Sequence, residues 1–303
     1  MISGSVASRS IAVGALVLVG SLGLAACGEK DKDDAAAKPA ITATGGPDTA
    51  LAAQVPADVK ADGVIKVGVD SSYAPNEYLD TDGKTVIGWD KELFDAVAAK
   101  LGLKAEFVTS SFTDIVPGVS TAGKYEVGVS SFTINAERLK QVSMVSYYSA
   151  GTLWFAKNGV TIDTKDVCGK KIAVQTGTVQ DEEMTAKSKE CEKAGKPKIT
   201  IDKYQKQDQA TASVASGKDE AGLADSPIAA YAVKKSNGAL AAVGDIYDAA
   251  PYGFVVKKGS PLAAAIAGAT KALIADGTYK AILEKWGVEG GALTTDPAVD
   301  PES

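Results

Sequence analysis

The chain is 303 residues long, carries a formal charge of −6 and contains no histidine. Hydrophobic residues make up 45 % and charged residues 23 %, a composition that supports packed cores in one large domain or two medium ones. The acidic balance, with no basic patch, argues against a nucleic-acid partner, and the missing imidazole removes the commonest general base and metal ligand.

The N-terminal segment reads as a targeting signal. Arg9 precedes the apolar run from Ile11 to Leu24, too short to cross a ~30 Å hydrocarbon core as a helix but matched to the apolar region of a signal peptide over residues 1–26. Leu24-Ala25-Ala26-Cys27 follows and resembles the bacterial lipobox. That resemblance implies a diacylglyceryl group on Cys27 and a stable two-chain anchor, with the mature chain on the extracytoplasmic face of the cell membrane. Residues 27–60 combine a charge run with a small, proline-broken stretch and read as a disordered tether.

From there strands and helices alternate. Residues 64–70 form a β-branched run. Residues 89–102 place Leu93, Phe94, Val97, Ala98 and Leu101 at helical spacing, with Asp90 able to cap and Gly102 as a stop. A strand is expected over 104–110, a short helix over 114–123 and a strand over 125–132. The pattern then restarts: a strand over 170–177, a charged helix from Gln180, strands over 198–204 and 220–225, helices over 208–218 and 227–238, a strand over 252–260, and a helical pair over 261–287 broken at Gly277. Two α/β blocks of mostly parallel sheet flanked by helices are expected, the second inserted within the first: residues 61–150 with 250–289, and residues 151–249. Residues 290–303 read as a frayed, disordered tail. In an oxidising compartment Cys168 and Cys191 are expected to form a disulfide, worth roughly 3 kcal/mol in the chain-entropy model.

Three segments in fixed order carry a resemblance: VGVDSSYAP with DGKTVIGWDKEL; SSFTINAERLKQV with the pair Tyr147-Tyr148; and LADSP with APYGFVVKKGSPL and DGTYKAILEKWGV. Together they resemble the polar amino-acid-binding family of periplasmic binding proteins, in lipoprotein form. The resemblance implies a type 2 binding-protein fold, two lobes joined by two hinge crossovers. It implies a monomeric receptor that passes an amino acid to the membrane subunits of an ABC importer.

It also assigns roles. Arg138 matches the carboxylate-binding arginine, whose planar fork suits a carboxylate, with Thr133 at the start of its helix and the Thr178 N–H completing the site. The Ser131 carbonyl and Asp225 match the ammonium site. Tyr73 and Trp89 match two aromatics that sandwich the ligand's aliphatic stem. Asp70, at the end of the first strand, reads the side-chain head group, with Gln175 nearby where glutamine-binding members often carry lysine. Asp70 and Asp225 against Arg138 leave a balance of −1, which favours a basic amino acid, with glutamine as the near alternative. No catalytic residue, cofactor or metal is expected. The competing readings are an enzyme on the same fold, such as a small-acid dehydratase, and a ligand-sensing module.

Overall fold

The computed structural model describes residues 38–302 together with Met1; the remainder of the expected signal peptide, and Cys27, lie outside the described residues. Residues 28–37 of the expected tether also lie outside the described residues; over 48–60 the chain is helical rather than disordered, which corrects that part of the expectation. Asp48 caps α1 (Thr49–Gln54), its carboxylate accepting from the N–H groups of Ala50 and Leu51, and α2 (Ala57–Lys60) follows. Val55 is buried in the main core, with Ile41 and Leu51 packed against it, and the Ile41 N–H donates to Glu92. Scattered apolar side chains, Ala43 and Val59 among them, anchor the segment, a signal that averaged composition conceals.

The β-branched run forms β1 (Val64–Val69), in which Ile65, Val67 and Val69 are fully buried. Next comes a small antiparallel sheet that the sequence does not announce: β2 (Ser72–Tyr73), β3 (Glu77–Leu79) and β4 (Val86–Ile87). Helix α3 (Trp89–Lys100) starts from Gly88 at φ 134°, where a Cβ would lie 2.0 Å from the Asn76 carbonyl oxygen. Only glycine fits there, and the expected cap, Asp90, instead turns inward and is fully buried. Strand β5 (Lys104–Thr109) and helix α4 (Phe112–Ser120) follow. Strand β6 (Val127–Gly128) is far shorter than the expected 125–132. Helix α5 (Ala136–Gln141) is a short turn capped by Asn135.

Then comes β7 (Val142–Lys157), a long strand around Tyr147-Tyr148. The second block supplies β8 (Lys171–Gln175), α6 (Val179–Lys193), β9 (Thr200–Tyr204), α7 (Gln207–Ser216), β10 (Ala221–Asp225) and α8 (Ser226–Lys235). The chain returns through β11 (Leu240–Lys257) and ends in α9 (Leu262–Ala275) and α10 (Thr278–Trp286), separated at Gly277 with φ 83°.

These elements build one mixed eight-stranded sheet in the order β5-β1-β6-β11-β7-β10-β8-β9. Strands β1, β5 and β6 are mutually parallel, as are β8, β9 and β10. Between the two groups run β7 and β11, antiparallel to each other along both halves, with register breaks between Val243 and Ala250 and between Tyr252 and Gly253. The two crossovers are therefore long paired strands that fuse the lobes' sheets. Each lobe keeps its own core. One clusters around Trp89, Phe94, Tyr147 and Phe254, the other around Trp154, Ile172, Met184 and Leu223.

The disulfide Cys168–Cys191 is present, with Cα atoms 5.6 Å apart, and Cys191 packs into the second core. The expected frayed tail is likewise corrected. Val299 bridges Val145 on β7, and the Asp300 carboxylate accepts from the Met144 N–H at 2.8 Å and from Lys258 at 2.9 Å. Edge pairing of this kind needs no apolar run, so composition does not reveal it. Among the described residues no helix is long and apolar enough to cross a membrane.

Candidate functional site

The chemistry-bearing residues gather where parallel strands end, the place at which open α/β sheets hold ligands. Asp70 follows β1, Ser130 and Ser131 follow β6, Gln175 ends β8 ahead of the Gly177-Thr178 turn into α6, and Asp225 ends β10.

Arg138 sits on α5, its backbone N–H capped by the Asn135 side chain at 2.9 Å. Its guanidinium donates to the Thr133 carbonyl at 2.7 Å in one lobe and to the Gly177 carbonyl at 3.2 Å in the other. The rings of Phe112 and Phe132 lie 5.4 Å away, within cation–π range. Burial pushes its pKa down, against the pull of Glu182 and Asp225. Thr133 lies two residues before the Asn135 cap, ahead of the helix rather than at its first turn. Its part is to aim Arg138 through its carbonyl, and it bridges Tyr252. Thr178 caps α6: its hydroxyl accepts from the Asp181 N–H and donates to the Gln175 carbonyl.

At the opposite pole, Asp225 does not cap α8. Its Oδ1 accepts from Gln180 Nε2 at 2.7 Å and its Oδ2 from the Tyr252 hydroxyl at 2.6 Å. Burial pushes its carboxyl pKa up, opposed by those two hydrogen bonds and by Arg138. Gln180 also donates to Thr152. The sequence reading missed Gln180 and Tyr252; the one available signal was Gln180 two residues after Thr178, in the first turn of the helix.

Ser131 stands in the left-handed region at φ 51°, a strained state for a non-glycine residue that clusters at binding sites. Its hydroxyl contacts Glu77 and Asp90, two buried acids that the sequence reading also missed as a pair. Asp70, 2 % exposed, accepts from the Ser72 N–H and hydroxyl on Oδ1, and from Gln175 Nε2 at 2.7 Å on Oδ2. Burial raises its pKa, and the hydrogen bonds oppose this. Gln175 Oε1 is buried without a hydrogen-bond partner.

The aromatic pair is corrected. Tyr73 faces Phe112 at 6.0 Å with planes 21° apart, and Phe112 stacks on Phe132 at 4.6 Å. Trp89 is fully buried in the first core, against Tyr148 at 4.6 Å, with its indole N–H donating to Asn76. Phe112, opening α4 just after β5, is the aromatic that faces Tyr73. Tyr73 itself packs in one cluster with Leu153, Ala224 and Ile228 of the second lobe.

A two-lobed α/β fold that brings a guanidinium and a carboxylate within electrostatic reach of each other at its strand ends is the arrangement expected of a receptor for a small zwitterion. The chain belongs to the bacterial extracellular solute-binding proteins, family 3, whose family model matches residues 65–289, and it is a solute-binding protein for amino acids that works outside the cytoplasm. It is 36 % identical to the arginine-binding protein ArgT of Corynebacterium glutamicum over 80 % of each chain. An ancestral arginine-binding protein bound to arginine superposes with a TM-score of 0.68 at 33 % identity, over 74 % of this chain and 98 % of that one. An ancestral arginine-binding protein bound to glutamine gives a TM-score of 0.68 at 32 % identity, over 75 % and 99 %.

Proposed function

We propose that this protein is the lipid-anchored receptor of an ABC importer and that its ligand is a basic amino acid of the arginine class. Arg138 takes the ligand carboxylate, with the start of α6 at Thr178. Asp225 and the Ser131 carbonyl take the ammonium. Tyr73 and Phe112 flank the aliphatic stem. Asp70 takes the head group, and Gln175 Oε1 offers a second acceptor.

The observation that carries the choice of ligand is Asp70. It is a buried carboxylate that makes no ion pair among the described residues; the charge of Lys206 is the smallest of the influences that lower its pKa. An ionised carboxylate accepts only, so the pocket favours a donor-rich cation and repels the side chain of glutamate or aspartate. The relatives that bind arginine support the same reading. The protein binds without turnover: its charged poles clamp both backbone groups of the ligand, and the chain has no imidazole for proton transfer.

Competition calorimetry tests the assignment. Wild type should bind arginine more tightly than glutamine and reject glutamate, and Asp70→Asn should lose most arginine affinity. Tight glutamate binding, or full arginine affinity in Asp70→Asn, contradicts it. For the anchor, Cys27→Ala should move the protein from the membrane to the soluble fraction; unchanged membrane retention contradicts lipidation.

A further inference from the structure

Behind Ser131 lie two acids that do not themselves meet the ligand in the arrangement above. Glu77 on β3 and Asp90 in the first turn of α3 are both 0 % exposed. Both converge on Ser131: its Oγ lies 3.2 Å from each Glu77 carboxyl oxygen and 3.5 Å from Asp90 Oδ2, and its N–H donates to Asp90 Oδ2 at 3.3 Å. Asn76 donates to the same Oγ at 2.9 Å, so its single hydrogen is left for the acids. The Ser130 hydroxyl donates to Glu77 Oε1 and the Tyr147 hydroxyl to Asp90 Oδ2 at 2.7 Å, while Asp90 Oδ1 is buried with no donor from any of these groups. Among the described residues neither acid has an ion-pair partner. Besides Tyr147 on β7, the titratable groups facing the two acids and Tyr147 from neighbouring elements are Asp70 after β1, Tyr73 on β2, Asp225 at the end of β10 and Tyr252 on β11, all acids or phenols. Two bare carboxylates cannot stay ionised side by side in such surroundings.

We propose that Glu77 and Asp90 share one proton at neutral pH, held by Glu77 and donated to Asp90, and that this pair positions Ser131 so that its carbonyl meets the ligand ammonium. Burial and the neighbouring Asp90 both push Glu77 well above the usual carboxylate range, the same direction as the geometry. With one proton present, Asp90 stays an anion that accepts from the Ser131 N–H and from Tyr147, and this offsets the strain of the left-handed backbone. Further acidification neutralises Asp90 and weakens those two bonds. Removing the shared proton sets two anions against each other. Ligand affinity therefore falls on both sides of a plateau. Glu77 and Asp90 are positioning residues, and the proposal rests on the reading of the cleft as an amino-acid site.

Two measurements on the full-length chain test it. Infrared spectra in D2O at pH 7 should show the carbonyl band of a protonated carboxylic acid, absent from Glu77→Gln; its absence from wild type overturns the shared proton. In arginine titrations from pH 5 to 9, Glu77→Ala should weaken binding at least about tenfold, the loss typical of a buried polar network left half-satisfied. Glu77→Gln should recover most of that, because its carboxamide donates where the proton sits and accepts from Ser130 and Ser131, and it should flatten the alkaline limb of the profile. A Gln variant no better than Ala, or one that keeps the wild-type alkaline limb, overturns the positioning role. If Glu77→Ala fails to fold, comparison of wild type with Glu77→Gln still decides. If wild type does not bind arginine, the ligand reading fails, while the infrared band still decides the pair.

Discussion

Asp225→Ala is the sharpest perturbation of the cleft. The carboxylate is 8 % exposed and holds the Gln180 amide at 2.7 Å and the Tyr252 hydroxyl at 2.6 Å. Truncation strands the ligand ammonium in a desolvated pocket and frees the Tyr252 hydroxyl, whereas Gln180 keeps Thr152 at 3.0 Å. Losing one partner of a buried charge pair costs ~2–5 kcal/mol, which at 1.4 kcal/mol per decade is about 30- to 4,000-fold in Kd. Asp225→Asn should rescue little: its oxygen can still accept from Tyr252, but its amide then points a donor at the donor of Gln180. Isothermal titration with arginine measures the loss, and thermal unfolding confirms that the variants fold. Arginine binding by Asp225→Ala within about threefold of wild type would refute the assignment of the ammonium site.

Phe112→Leu should weaken arginine binding several-fold while Trp89→Phe leaves affinity unchanged. The latter should instead lower stability by about 1–3 kcal/mol, because the buried Asn76 oxygen loses its donor at 2.7 Å. Equal affinity losses in the two variants would return Trp89 to the ligand. Asp276 offers a pH test: partial burial pushes its carboxyl up, but hydrogen bonds from Thr278, Lys100 and Thr44 hold it down at about 2. A lowered folded-state value contributes stability that is present above the unfolded value of about 3.9 and lost as the pH falls toward 2. The melting temperature of Asp276→Asn should therefore lie below wild type at pH 7 and converge with it near pH 2; a constant gap contradicts the assignment.

Most of the helices, and the parallel strands around them, were legible because apolar spacing reports burial directly. The long crossovers were not. Strand β7 alternates small, polar and aromatic residues, and its register with β11 is set by partners a hundred residues away in sequence. Arg138 and Asp225 were singled out from motif and chemistry together; the structure places Arg138 on α5 and Asp225 at the end of β10, and their roles toward a ligand are proposed. Trp89 and Phe112 each open a helix just beyond a strand or turn, and only packing shows that one lies against Tyr148 of β7 and the other against Tyr73. Glu77, Asp90 and Gln180 escaped for a related reason: a buried polar side chain is recognised by its partners, and those come from other elements.

The most direct measurement is the structure of the crystallised arginine complex. The account predicts the ligand carboxylate on Arg138, the ammonium between Asp225 and the Ser131 carbonyl, and the guanidinium on Asp70 within reach of Gln175 Oε1. A guanidinium turned away from Asp70, or a carboxylate seated anywhere other than Arg138, would contradict it.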